Sequence, residues 1–176
     1  MKNYWKSSGD YMGIDKLGDK GLESDDCRKV LSVKEHGRSY YLLNPCEYRV
    51  RCFRIDGGVI TDGMRCDYGI LTDFSNCSNA ASTEIKLGNF TKKQCRFYLV
   101  ELKGKDLSHA AEQLNDTITK LEHSIAACVI EARIILSRVS HPDLPVTSVI
   151  QLERRLARLG GRLKKASNML EETLLV

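Results

Sequence analysis

Residues 94–106 read QCRFYLVELKGKD, and the way this run ends governs how the rest of the chain is read. Phe97, Tyr98, Leu99 and Val100 form an apolar, aromatic stretch suited to a strand. Strands usually leave a sheet through Gly, Asn, Asp or Ser. Here Glu101 and Lys103 come first and Gly104 follows them. Side chains two residues apart in a strand share a face. Glu101 and Lys103 therefore project side by side, and Leu102 packs into the core behind them.

Upstream, Tyr48 to Ile55 alternates as a strand does, and Asp56-Gly57-Gly58 supplies turn or bulge chemistry. Val59-Ile60 continues that strand, Thr61-Asp62-Gly63 is a tight hairpin turn, and Met64 to Leu71 is the returning strand, with Asp67 inside it. Residues 73–89 are rich in Ser, Asn and Gly and read as a long loop. Arg96 to Glu101 is the third strand. Leu107 to Cys128 has the strongest helical pattern: Leu107, Ala110, Ala111, Leu114, Ile118, Leu121, Ile125 and Cys128 share one stripe, and Asp106 or Ser108 caps it. Val129 to Val139 is a fourth strand, and Pro142 and Pro145 break the chain. Thr147 caps a second helix carrying Val149, Leu152, Leu156 and Leu159, and Gly160-Gly161 ends it. Arg162 to Ser167 is the last strand, and the tail to Val176 is strand or helix. At the other end, residues 1–20 form a loose arm or lie across the surface. Glu23 to Val33 reads as a short helix capped by Ser24. The expectation is one domain over residues 1–176 of α/β class, a hairpin-led mixed sheet flanked by helices.

A chain of 176 residues with 42% hydrophobic and 28% charged residues has enough apolar material for one core and is not disordered in composition. The net charge of +4 permits an anionic partner without requiring one. No apolar run is long enough for a membrane helix, and MKNYWKSSGDYMG has no signal-peptide core, so the expected location is cytoplasmic, with no membrane partner. Seven cysteines occur without a C-x-x-C pair. That excludes the usual zinc spacing and points to reduced structural thiols, with Cys52, Cys66, Cys95 and Cys128 in or beside apolar runs.

Taken alone, Glu101-x-Lys103 is a solvated pair closing a strand. Asp67 changes its weight, because an acid among apolar strand residues costs desolvation unless it is paired or binds metal. Glu101 with Asp67 could hold a hard cation, and Lys103 could orient water or offset charge developing on a phosphate.

Asp67 in one strand, Glu101-x-Lys103 ending the next, and a following helix with Gln113 resemble the PD-(D/E)XK nuclease superfamily. Tyr98-Leu-Val-Glu-Leu-Lys-Gly104 followed by Ala110-Ala-Glu-Gln-Leu114 is closest to its small prokaryotic members. The resemblance covers roughly residues 48–139, with Cys66 in place of the name-giving proline. It implies a restriction-endonuclease-like core and Mg2+- or Mn2+-dependent hydrolysis of nucleic-acid phosphodiesters. Asp67 and Glu101 would carry the metal, Lys103 would assist the water, and Gln113 would support Lys103 or a phosphate. Many members add a glutamate from the first helix, for which Glu23 is the first candidate and Glu35 the next. Without that residue, the alternative is a catalytically inactive nuclease fold that binds nucleic acid or protein. Arg154, Arg155, Arg158, Arg162, Lys164 and Lys165 are either one solvated face or a set of phosphate contacts. A homodimer is compatible with the sequence, as is a partner subunit docked on Leu170, Leu174 and Leu175 of the tail, and the sequence sets no oligomeric state.

Overall fold

The computed structural model describes residues 17–74, 95–138 and 146–174. The polar loop and the proline break fall largely outside these residues, as do His141, Leu175 and most of the N-terminal arm. Of the arm, residues 17–20 form a turn that buries Leu17 in the core.

Nine strands and two helices follow in the order β1 (Leu22–Asp26), β2 (Val30–Glu35), β3 (Arg38–Leu43), β4 (Arg49–Arg54), β5 (Tyr68–Asp73), β6 (Cys95–Lys103), α1 (Leu107–Ile125), β7 (Val129–Leu136), α2 (Thr147–Arg158), β8 (Leu163–Ser167) and β9 (Met169–Thr173) among the described residues. They make a six-stranded mixed sheet, β1-β4-β5-β6-β7-β8, and a three-stranded sheet, β2-β3-β9. The pairings from β1 to β6 are antiparallel, and β6-β7 and β7-β8 are parallel. The class is α/β, and both helices belong to β-α-β crossovers. Crossovers of one hand that step the same way along a sheet put their helices on the same face.

The alternation of β6 shows the resulting layers. Phe97 and Leu99 pack with α1, α2 and the odd face of the sheet in one core cluster. Tyr98, Val100 and Leu102 pack with Leu31, Val33, Tyr40 and Leu42 of the small sheet in the other. The large sheet is therefore covered by helices on one face and by a second sheet on the other, not by helices on both.

That difference starts in the segment expected to be the first helix. Residues 23–33 form β1 and the start of β2, because Leu31 and Val33 are buried while Val30, Ser32 and Lys34 are exposed, a period of two. His36 and Gly37 both have positive φ, 47° and 76°, and join β2 to β3 as a two-residue hairpin. Other boundaries move by a few residues. β4 stops at Arg54, and residues 55–60 form a turn with one bridge, Asp56 to Ile60, instead of continuing as a strand. β5 begins at Tyr68, so Asp67 sits in the bend just before it, not inside it. α2 begins at Thr147 with Val146 as its cap and no side-chain cap bond. It ends as expected: Gly160 N–H donates to Ala157 and Gly161 N–H to Leu156, a Schellman arrangement. The tail is strand β9, with Leu174 buried and Leu170 packed on the second cluster, so neither is a free docking residue.

Cys52 and Cys66 are buried free thiols. Cys95 and Cys128 are joined as a disulfide, against the expectation of reduced thiols throughout. β6 and β7 are parallel neighbours, and these residues stand at their first ends, which brings the two Cα atoms to 4.8 Å. No described helix is long and apolar enough to cross a membrane.

Candidate active site

Asp67 is held from both sides. Its carbonyl accepts from the N–H groups of Ile55 and Asp56, and its carboxylate Oδ2 accepts from Leu102 N–H at 2.7 Å. The side chain thus meets the end of β6 where Glu101 and Lys103 project. The bend before Asp67 is fixed by one face of α1. Gln113 Nε2 donates to the Arg65 carbonyl, Cys66 N–H donates to Thr117 Oγ1, and Lys120 Nζ donates to the carbonyls of Asp62 and Met64. Residues 113, 117 and 120 share a helical face. Gln113 therefore positions the segment that carries Asp67; its Oε1 is buried without a partner.

Glu101 is 1% exposed, and its Oε2 has no hydrogen-bond partner. Lys103 Nζ stands 3.8 Å from Glu101 Oε1, and the lysine side chain is 30% exposed. Burial pushes the Glu101 carboxyl up to about 8, the Asp67 carboxylate adds to this, and Lys103 opposes it. Asp67 is raised for the same first reason, with the Leu102 N–H pulling the other way. Two acids whose charges are disfavoured by burial, Glu101 also by Asp67, beside one ammonium, suit a cation in their midst. Cys66, fully buried nearby, has its thiol raised first by burial and next by Glu101.

Glu35, at the tip of the β2-β3 hairpin, raises both Asp67 and Glu101 and is their third acidic neighbour. Its Oε1 is 3.3 Å from Arg54, and its Oε2 is buried without a partner. Glu23 is exposed on β1, and the groups it perturbs are Cys52 and Tyr68. Sequence reasoning missed Arg54, which bonds Tyr68 and bridges to Glu35. An arginine ending an alternating strand just before Asp-Gly-Gly was the available signal. Among the described residues no three His, Cys, Asp or Glu side chains are grouped as metal ligands.

The six basic residues do not converge on this place. Arg155 donates to Asn115 O and Thr119, Lys164 pairs with Glu172, and Lys165 pairs with Glu153 at 3.6 Å. Arg154, Arg158 and Arg162 are exposed. Arg158 and Arg162 flank the Gly160-Gly161 link beside Val129 and Ile130, at the opposite end of the sheet from Glu101 and Lys103. No protein-family model, no curated protein and no solved structure matches this chain.

Proposed function

We propose that the chain is a metal-dependent nuclease, alone or as the nuclease subunit of a larger system, that hydrolyses phosphodiester bonds in nucleic acid. The observation carrying this reading is the buried, unpartnered Glu101 Oε2 beside the Asp67 carboxylate and the Lys103 ammonium. The order β4-β5-β6-α1-β7, two antiparallel pairings followed by a parallel crossover, supports a restriction-endonuclease-like core.

Asp67 and Glu101 are the residues that would hold magnesium or manganese, and Glu35 is the further acid whose charge acts on both. Hard cations take carboxylate oxygens, and magnesium commonly rests on one or two carboxylates with waters and substrate phosphates around it. Once bound, such an ion polarises the phosphoryl oxygen and acidifies its water. Lys103, partly open to solvent, orients the attacking water and offsets charge growing on the phosphate oxygens. Gln113 keeps the 65–67 bend, and hence Asp67, in place. The catalytically inactive nuclease fold stands as a second reading, favoured by residues 23–33 forming strands in place of the helix that would deliver a further glutamate.

The test screens single- and double-stranded DNA and RNA in magnesium and in EDTA, beside Glu101→Gln and Lys103→Ala. Cleavage only with magnesium, reduced at least ~100-fold in both folded variants, is expected. Equal rates in all three proteins would sink the site. Salt-sensitive binding with no product on any substrate would select the inactive fold.

A further inference from the structure

We propose that Arg38 is a phosphate-binding group at the rim of this site. The proposal rests on the nuclease reading for the source of the phosphate, a phosphodiester of a nucleic-acid strand. Arg38 opens β3 immediately after the His36-Gly37 turn and is the register partner of Glu35. It shares the inward face of β3 with Tyr40 and Leu42, each 0% exposed, and is itself only 9% exposed. A guanidinium carries five N–H donors and keeps its charge at any ordinary pH, so a protein that buries one normally surrounds it with acceptors.

The other buried arginines follow that rule. Arg133 bonds Glu172, Glu131 and the carbonyls of Ala132 and Arg162. Arg51 donates to Gly18 O and Asp19. Arg38 does not follow it. Its Nε is buried without a hydrogen-bond partner, as is that of Arg51, but Arg51 has the Asp19 and Asp25 carboxylates at 3.1 and 3.5 Å, whereas among the described residues no carboxylate pairs with the Arg38 guanidinium. Even Glu35, directly across the hairpin on the same face, turns instead to Arg54 and His36.

The position of this unspent fork selects its ligand. Its register partner Glu35 bridges to Arg54, which bonds Tyr68, the neighbour of Asp67, so an anion held by Arg38 stands at the small-sheet side of the rim on which Asp67 sits. An anionic strand approaching three carboxylates needs cations, and the basic residues of α2 and β8 are committed or distant. A planar fork grips two oxygens of one phosphate at once.

The experiment melts wild type, Arg38→Met and Arg38→Lys against inorganic phosphate, with chloride matched for ionic strength and no divalent metal. It then measures anisotropy of labelled oligonucleotides across a salt series, and cleavage in magnesium. Phosphate should raise the wild-type melting temperature and leave that of Arg38→Met unmoved. Arg38→Met should bind the oligonucleotide ~10-fold or more weakly, with a salt slope smaller by about one ion. It should melt no lower than wild type, because it removes a buried charge that has no partner. Arg38→Lys keeps the charge and loses the fork, and should fall between the two in affinity; affinity equal to wild type would count against bidentate binding even if Arg38→Met does not fold. Absence of a phosphate response in wild type, or an equal response in wild type and Arg38→Met, would overturn the proposal. So would a lowered melting temperature with unchanged oligonucleotide affinity. A phosphate response confined to wild type with no nucleic acid cut would keep the Arg38 site, fed by a free phosphate compound, and sink the nuclease reading. Magnesium-dependent cleavage and affinity identical in wild type and Arg38→Met would do the reverse.

Discussion

Replacing Glu101 by Gln separates what the site costs in stability from what it does. The Glu101 carboxyl is 1% exposed and is pushed from 4.5 to about 8, first by burial and then by the Asp67 carboxylate. Between those two pH values the native state holds a proton that the unfolded chain has released. Stability is therefore undiminished below about pH 4.5, falls as pH rises through the window to 8, and is lowest above it. At ~1.36 kcal/mol per pH unit, that window is worth ~5 kcal/mol. Gln has nearly the same volume and no charge, so Glu101→Gln should match wild type within ~1 kcal/mol near pH 4.5 and exceed it by ~3–5 kcal/mol near pH 9. Asp67 stays in the variant and keeps a decline of its own. Urea unfolding followed by far-ultraviolet circular dichroism, with a common m-value, measures the difference at each pH. Saturating magnesium at high pH should restore stability to wild type and do little for the variant, because a ligand that binds only the native state stabilises it. Parallel pH profiles for the two proteins would refute the argument, since they would mean the carboxylate is ionised in the native state without penalty.

Two further outcomes concern the frame around the site. The Cys95–Cys128 bond closes a loop with a sequence separation of 33 residues, which in the chain-entropy account stabilises by ~3–4 kcal/mol. The Cys95→Ala/Cys128→Ala protein should unfold at correspondingly lower urea, and unchanged stability would mean the two thiols are not bonded. At Gly161 a Cβ would lie 1.9 Å from the Ile130 carbonyl oxygen, whereas at Gly104 it would meet nothing within 4 Å. Gly161→Ala should cost ~2–3 kcal/mol, and Gly104→Ala should stay within ~0.5 kcal/mol of wild type; equal melting of the two variants would contradict the close approach of the α2-β8 link to β7.

The parts of the fold legible in the sequence were those with an unbroken period. β6 is an apolar run from Phe97 to Leu102 interrupted only by Glu101 and buried on both faces, and the sharing of one face by Glu101 and Lys103 follows from strand parity alone. The stripe from Ala110 to Ile125 fixes α1, and the buried residues of that helix are those of the stripe, with Thr117 added. The hairpin β2-β3 was hidden for two reasons. Leu22, Val30 and Leu31 sit at helix-like intervals behind an acidic, Ser-led start. The turn also uses His-Gly in place of the familiar Asn-Gly, although His enters the left-handed region more readily than most residues. Asp67 and Glu101 were legible as a pair because each interrupts apolar surroundings. Arg38 was not, since an arginine on an inward strand face looks like a solvated one until its burial is known. The basic cluster failed for a related reason: charge counted along the chain says nothing of which ammonium and guanidinium groups are already spent on Glu172, Glu153 and α1 carbonyls.

The small sheet also changes how a third acid reaches the site. A glutamate delivered by a helix is set by the turn of that helix, and neighbours three or four residues away can compensate for a shift. Glu35 comes from a hairpin tip, where the side-chain period is two and a slip of one residue sends every side chain to the opposite face. What prevents the slip is Leu31, Val33, Tyr40 and Leu42, all at or below 4% exposed and packed on Val50, Ile70, Val100 and Leu102 of the large sheet. The same register places Arg38 opposite Glu35 on the inward face. Glu35 and Arg38 therefore enter or leave the site together, held there by an apolar core that touches none of the chemistry.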